Sequence, residues 1–168
     1  MSNIHEDQRV AVFVDVQNLY YSAKNLYDRK VNFTNLLNTA VHGRKLTRAI
    51  AYAIQADTPD EENFFEALRN IGFEVKRKEL KEFYGGAKKG DWDMGIAIDA
   101  VKMAEKMDTA VLVTGDGDFV SLVNHLQADG VRVEGMAFGK STAHELRDAV
   151  NNFIDMDEKP DKYLIDEG

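Results

Sequence analysis

The chain has 168 residues, ordinary apolar content, two prolines and no cysteine. That is enough for one domain with a sizeable core, and it excludes general disorder, disulfides, thiolate metal ligands and a cysteine nucleophile. The net charge of −8 weighs against nucleic-acid binding through the whole surface, but it is uneven: residues 1–90 carry 14 Lys/Arg against 12 Asp/Glu, and residues 91–168 carry 7 against 17.

The apolar run Val10-Ala11-Val12-Phe13-Val14 predicts a buried strand over about 9–15, closed by Asp15. Leu19, Ala23, Leu26 and Tyr27 then have helical spacing, and Phe33, Leu36, Leu37 and Ala40 mark a second, short helix. A strand follows at about 46–55. Thr58-Pro59-Asp60-Glu61-Glu62 predicts a helix start, with proline and acids in the first turn, an apolar face of Phe64, Phe65 and Leu68, and Gly72 beyond its end. A strand over about 73–79 leads into a loop rich in Gly and Lys at 83–90. The remainder alternates: helix 92–106, strand 109–114, helix 118–128, strand 131–137, helix 142–150, and Phe153-Ile154 as a short last strand or packed tail. With no repeat or linker, residues 1–168 are expected to be a single domain with a core at about 9–155 and a flexible tail at 156–168. No apolar run approaches membrane-spanning length and residues 1–7 do not form a signal peptide, so a cytoplasmic protein without a membrane partner is expected. Alternating strands and helices predict an α/β fold, with a parallel sheet covered on both faces and ligands outside the carboxyl ends of the strands.

Acidic residues gather at those ends. Asp15 is placed to be a ligand, or to cap the next helix; Asn18 is placed to orient a water or phosphate, or to be that helix's N-cap. Asp93 lies four residues before Ala97, the first of the stripe Ala97, Ala100, Val101, Ala104, so it points inward at a helix start and needs a metal or orphan backbone N–H groups as partner. Asp91 reads as an N-cap or exposed residue. Asp99, about 240° around the helix from Asp93, is a weaker candidate that could hold a neighbouring loop. In Thr114-Gly115-Asp116-Gly117-Asp118-Phe119, one acid caps the following helix and the other faces the pocket, Asp116 being the better direct ligand. Thr114 and Ser121 offer hydroxyls nearby. Crowded carboxylates raise one another's pKa, and Mg²⁺ or Mn²⁺, which prefer oxygen ligands, would relieve that repulsion while bridging to phosphate oxygens.

Other motifs are weaker. Gly139-Lys140-Ser141 resembles the end of a P-loop, but Gly135 is one residue too close for that spacing; Ser141 as an N-cap with Lys140 near a phosphate is the simpler reading. His5, His42, His125 and His144 lack zinc spacing, and His144 reads as a surface residue that could approach the pocket. A receiver-like phosphoacceptor would need Asp-x-Asp after the first strand, where Val16-Gln17-Asn18 follows Asp15. Tyr20, Tyr21, Phe83, Tyr84 and Trp92 could stack on bases or simply pack. Arg69, Lys76, Arg77, Lys78, Lys81, Lys88 and Lys89 form a basic cluster that would suit a polyanion, or would merely solvate a strand edge.

Three ordered segments carry a specific likeness: Val12-Phe13-Val14-Asp15-Val16-Gln17-Asn18-Leu19, then Lys89-Gly90-Asp91-Trp92-Asp93-Met94-Gly95-Ile96-Ala97-Ile98-Asp99, then Thr114-Gly115-Asp116-Gly117-Asp118-Phe119. Together, over about residues 9–155, the chain resembles an NYN domain of the LabA-like family within the PIN-like nuclease superfamily. The resemblance implies a Rossmann-like three-layer fold, a sheet in order 3-2-1-4-5, and a Mg²⁺- or Mn²⁺-dependent ribonuclease acting on RNA. By position, Asp15, Asp93 and Asp116 would be metal ligands and Asp118 would assist. Asn18, Thr114 and Ser121 would shape the site, and Lys88, Lys89 and Lys140 would meet the substrate. Two departures from the family stand out: Asn151 replaces an acid common before the tail, and Lys89 lies further from Asp93 than in many relatives. A non-catalytic RNA-binding or regulatory module on the same fold is the alternative. A homo-oligomer or protein partner stays open.

Overall fold

A computed structural model describes residues 5–79, 81, 82, 88, 89 and 91–165, with the backbone alone at 81, 82, 88 and 89. The run at Val10–Val14 is continuously apolar because the strand it forms, β1 (Arg9–Asp15), is covered on both faces. Val10, Val12 and Val14 enter one core, and Ala11 and Phe13 enter the other, as the two-residue period of a strand requires. On the first face lie α1 (Val16–Tyr27) and, beyond the short strand β2 (Lys30–Val31), α2 (Phe33–Val41). β3 (Lys45–Gln55) then pairs with β1, and α3 (Glu61–Ile71) returns over the same face to β4 (Glu74–Glu79). After the two-residue strands β5 (Lys81–Glu82) and β6 (Lys88–Lys89), which pair with each other, α4 (Asp93–Lys102) crosses to the opposite face. Then β7 (Thr109–Val113), α5 (Val120–Ala128), β8 (Arg132–Ala137), α6 (His144–Ala149) and β9 (Asn152–Asp155) follow along the chain.

The main sheet has the order β4-β3-β1-β7-β8-β9, every pair parallel. This is the expected order 3-2-1-4-5 with one more strand: Phe153-Ile154 lies in β9, pairing with β8. The chain starts in the middle at β1, moves out through β3 and β4, and comes back to set β7 on the other side of β1. The crevice between the carboxyl ends of β1 and β7 is therefore the topological switch point.

Four expectations change. The helix expected over 92–106 ends at Lys102, with 104–106 as a 3-10 turn, and its buried residues are Ile96 and Ala100, followed by Met103 at its end; Val101 is 41% exposed. α3 starts at Glu61, because Asp60 is left-handed (φ 68°), so Pro59 lies outside the first turn. The helices expected over 118–128 and 142–150 are shorter, beginning at Val120 and His144, since 117–119 and 139–141 are 3-10 turns. The tail from 156 onward, expected to be flexible, is packed through Ile165: Met156, Tyr163 and Leu164 are buried, α7 (Pro160–Tyr163) contacts α2, and β10 (Leu164–Ile165) pairs with β2. No helix among the described residues is long and apolar enough to cross a membrane.

Candidate functional site

The register that sets Val14 opposite Val113 carries Asp15 alongside Thr114 at the switch point. Thr114 Oγ1 donates to Asp15 Oδ2 at 3.1 Å and accepts from the Asp116 N–H at 3.2 Å. The other oxygen of Asp15 accepts from the Asn18 N–H at 3.3 Å, so Asp15, and not Asn18, is the N-cap of α1. Asn18 does different work. Its Oδ1 accepts from the Gly115 N–H at 2.9 Å, tying the start of α1 to the turn at 114–119.

That turn is forced into close quarters. A Cβ on Gly115 would stand 2.9 Å from the Ser141 carbonyl oxygen, and one on Gly117 would stand 2.6 Å from Glu145 Oε1 and 2.9 Å from the Ala143 Cβ. The side chain of Asp116 accepts from the Asp118 N–H at 2.9 Å, which makes Asp116 the N-cap of the 3-10 turn. Capping and facing the pocket thus fall to one residue, and Asp118 is released to join the acids. Across the crevice, Asp93 is brought in by Trp92. The Trp92 indole donates to the Ala53 carbonyl at 2.8 Å and packs on Tyr52, and Asp91 Oδ1 accepts from the Asp93 N–H at 3.2 Å. Trp92 is therefore a packing residue.

One carboxylate oxygen each from Asp93, Asp116 and Asp118 lies within 4.8 Å of the others. Asp93 and Asp116 also line a pocket of about 410 Å³ with Asp15, Asp91 and Asn18. Burial, then the charges of Asp116, Asp91 and Asp15, push the Asp93 carboxyl up to about 7. Asp15 is also raised, by burial above all and by Asp116 and Asp91, against the pull of the Asn18 N–H and the Thr114 hydroxyl. Like charges held this closely are costly without a counter-ion. Hard, all-oxygen donors in this arrangement fit a divalent ion such as Mg²⁺ or Mn²⁺.

Five of the residues singled out in the sequence thus converge: Asp15, Asn18, Asp93, Thr114 and Asp116, with Asp118 on the exposed side. Others do not. Ser121 is exposed on α5 and outside the pocket lining. The Lys140 Nζ lies 5.9 Å from the Tyr27 ring, and its backbone N–H donates to Asp157. Lys88 and Lys89 form β6, and their side chains lie outside the described residues, as do Phe83 and Tyr84. Asp99 accepts from Tyr52 and Lys76 at 2.8 and 2.7 Å, away from the pocket, and burial offset by these two partners leaves its pKa lowered. His144 is a surface residue beside Asp148. Ser141 does not cap α6; its hydroxyl meets that of Ser22 at 2.8 Å, and both serines line the pocket. Ser22 went unread, although Asp15, Asn18, Ser22 and Asn25 form a polar stripe at helical spacing beside the apolar one. Among the described members of the basic cluster, Arg69, Lys76 and Arg77 are in ion pairs with Glu66, Asp99 and Glu62, and Lys78 sits over Trp92. Asn151 accepts from the Val133 N–H and the Gln127 amide and so fastens the start of β9 to β8.

The model of the NYN domain matches residues 9–157. The chain belongs to the NYN domain family. The low amplitude and bright protein LabA of Synechococcus elongatus is 28% identical over 159 residues, covering 89% of this chain and 84% of LabA. A crystal structure of a protein of unknown function from Vibrio parahaemolyticus superposes with a TM-score of 0.88 at 33% identity, over 98% of this chain and all of that one. The T5 D15 protein, co-crystallised with metal ions, shares the fold at a TM-score of 0.50 and 16% identity, over 90% of this chain and 60% of that one. In this NYN domain the acids stand where a parallel α/β sheet places its ligands.

Proposed function

We propose that this NYN domain is a divalent-metal-dependent ribonuclease that hydrolyses RNA phosphodiester bonds at the crevice between β1 and β7. The observation that carries the reading is the meeting of Asp93, Asp116 and Asp118, from two separate chain segments, beside a buried Asp15. The three clustered carboxylates would hold Mg²⁺ or Mn²⁺. A bound ion of this kind neutralises charge developing on a phosphate and lowers the pKa of water. Asp15, fixed by Thr114 and Asn18, keeps one orientation without reorganisation and is set to take a proton from the incoming water. Asn18 and Thr114 hold the 114–119 turn against α1, so that Asp116 keeps its place opposite Asp93.

The test is cleavage of single-stranded and structured RNAs by the purified protein in Mn²⁺ or Mg²⁺. Activity is expected to vanish in EDTA and to fall more than about 100-fold in Asp93→Asn and in Asp116→Asn, since even outer-shell losses at metal sites cost about 10–100-fold. Asp15→Asn is the cleanest control: asparagine caps a helix as well as aspartate does, so the fold survives while the proton acceptor is lost. Undiminished cutting by Asp93→Asn, or its absence in the wild type across varied RNAs, overturns the reading.

A further inference from the structure

A second cavity, of about 630 Å³, opens between α1 and α3 and is larger than the acidic pocket. Its lining includes Tyr20, Tyr21, Phe33, Phe64 and Phe65. Tyr20 and Tyr21 meet edge to face at 5.4 Å between centroids, and Phe64 bridges Phe33 and Phe65 at 5.8 Å from each. Tyr20 is 49% exposed, Tyr21 52% and Phe64 37%. Residues this apolar are ordinarily covered, yet here they stand open along one groove. Gln17 and Tyr21 line both cavities, so the aromatic surface begins where the acidic pocket ends.

We propose that the groove between α1 and α3 receives unpaired bases of the single-stranded RNA whose phosphate lies at the acidic crevice. The proposal rests on the nuclease reading above. Continuity fixes the occupant: a chain running out of the acidic pocket past Gln17 and Tyr21 meets aromatic faces within the same groove. The chemistry agrees. Bases stack on aromatic side chains without regard to sequence, while a strand's phosphates need positive charge nearby. Arg29, ion-paired with Asp161 at 3.1 Å, and Lys30 line the groove, and the Lys24 Nζ lies 5.9 Å from the Tyr20 ring. Of the two acids on this rim, Glu61 is turned away, since its carboxylate accepts from the Ala56 and Asp57 N–H groups at 2.9 and 3.2 Å, and Asp60 is exposed to solvent. A duplex keeps its base faces stacked on one another and offers the groove nothing to grip.

The experiment uses the full chain as Asp15→Asn in Mn²⁺, with a labelled single-stranded oligoribonucleotide and the matching duplex. The single strand is expected to bind more tightly than the duplex. Adding Tyr20→Ala is expected to weaken single-strand binding about ten-fold, and Tyr20→Trp to restore it. In the otherwise wild-type protein, Tyr20→Ala is expected to raise KM for RNA about ten-fold while leaving kcat at saturating RNA unchanged. Equal binding of single strand and duplex, or indifference to Tyr20→Ala in a wild type that cuts RNA, overturns the groove proposal and leaves the nuclease reading standing. Tyr20-dependent binding of single strands by a wild type that cuts nothing overturns the nuclease reading and leaves the groove.

Discussion

Asp93 bears the strongest electrostatic load in the crevice. Its carboxyl is raised from 3.8 to about 7 by burial and by three neighbouring acids. A group whose folded value is raised contributes stability that is fully present below its unfolded value and is lost as pH rises through the folded one. In EDTA, wild type and Asp93→Asn should therefore melt alike near about pH 4, and Asp93→Asn should melt higher near about pH 8. Thermal scans at the two values check this, and a variant gaining nothing at the higher pH would contradict it. Mn²⁺ competes with the proton for the same oxygens, so its affinity for the wild type should climb as pH passes about 7. Asp15, Asp93 and Asp116 were legible in the sequence because each closes a buried strand, opens a helix or follows a strand end. The division of labour between Asp116 and Asp118 was not, because Asp-Gly-Asp is symmetrical until a backbone N–H chooses between the two side chains.

At the scale of elements, the site depends on how closely the 114–119 turn lies against the loop after β8. Gly115→Ala would drive a methyl group to 2.9 Å from the Ser141 carbonyl oxygen and to 3.0 Å from Thr142 Oγ1. Backbone has to shift, at a cost of about 1–3 kcal/mol, and Asp116 shifts with it. Gly115→Ala is expected to lower the urea midpoint and to weaken Mn²⁺ binding together; loss of stability with unchanged binding would show the turn to be slack. Strands and helices were largely legible from apolar runs and helical spacing. Of the stripe expected along α4, Ala97, Ala100 and Ala104 pack on the core, but Val101 is exposed and Ile96 is buried, because the helix ends at Lys102 and packing against α5 sets which face turns in. The tail was misjudged because Met156, Tyr163 and Leu164 stand apart among charged residues, and the tail is held by contacts of the 156–158 turn with β8, of α7 with α2 and of β10 with β2.

Across the whole molecule, the end of the sheet opposite the acids is closed by Arg44 and Glu134, whose side chains are each 1% exposed. Arg44 forms a two-pronged pair with Glu134 at 3.0 and 2.9 Å and donates to the Ala40 and Val41 carbonyls, which clamps α2 to β8. Burial pushes the Glu134 carboxyl up, but Arg44 and Arg132 outweigh it and hold it below its ordinary 4.5. Its contribution is thus present above that value and lost as pH falls below it. Glu134→Gln should cost about 3–5 kcal/mol by leaving Arg44 uncompensated, and it should flatten the acid limb of the stability curve; parallel curves for the two proteins would contradict this. Neither residue drew notice in the sequence, because an Arg and a Glu 90 positions apart meet only once the sheet has formed. The central claim concerns the other end of the sheet, where the acidic half of the chain gathers its charge. A crystal soaked in Mn²⁺ and measured for anomalous scattering tests it most directly. The account predicts density among Asp93, Asp116 and Asp118, beside Asp15, and none in Asp93→Asn; density elsewhere, or an empty crevice at saturating Mn²⁺, would contradict it.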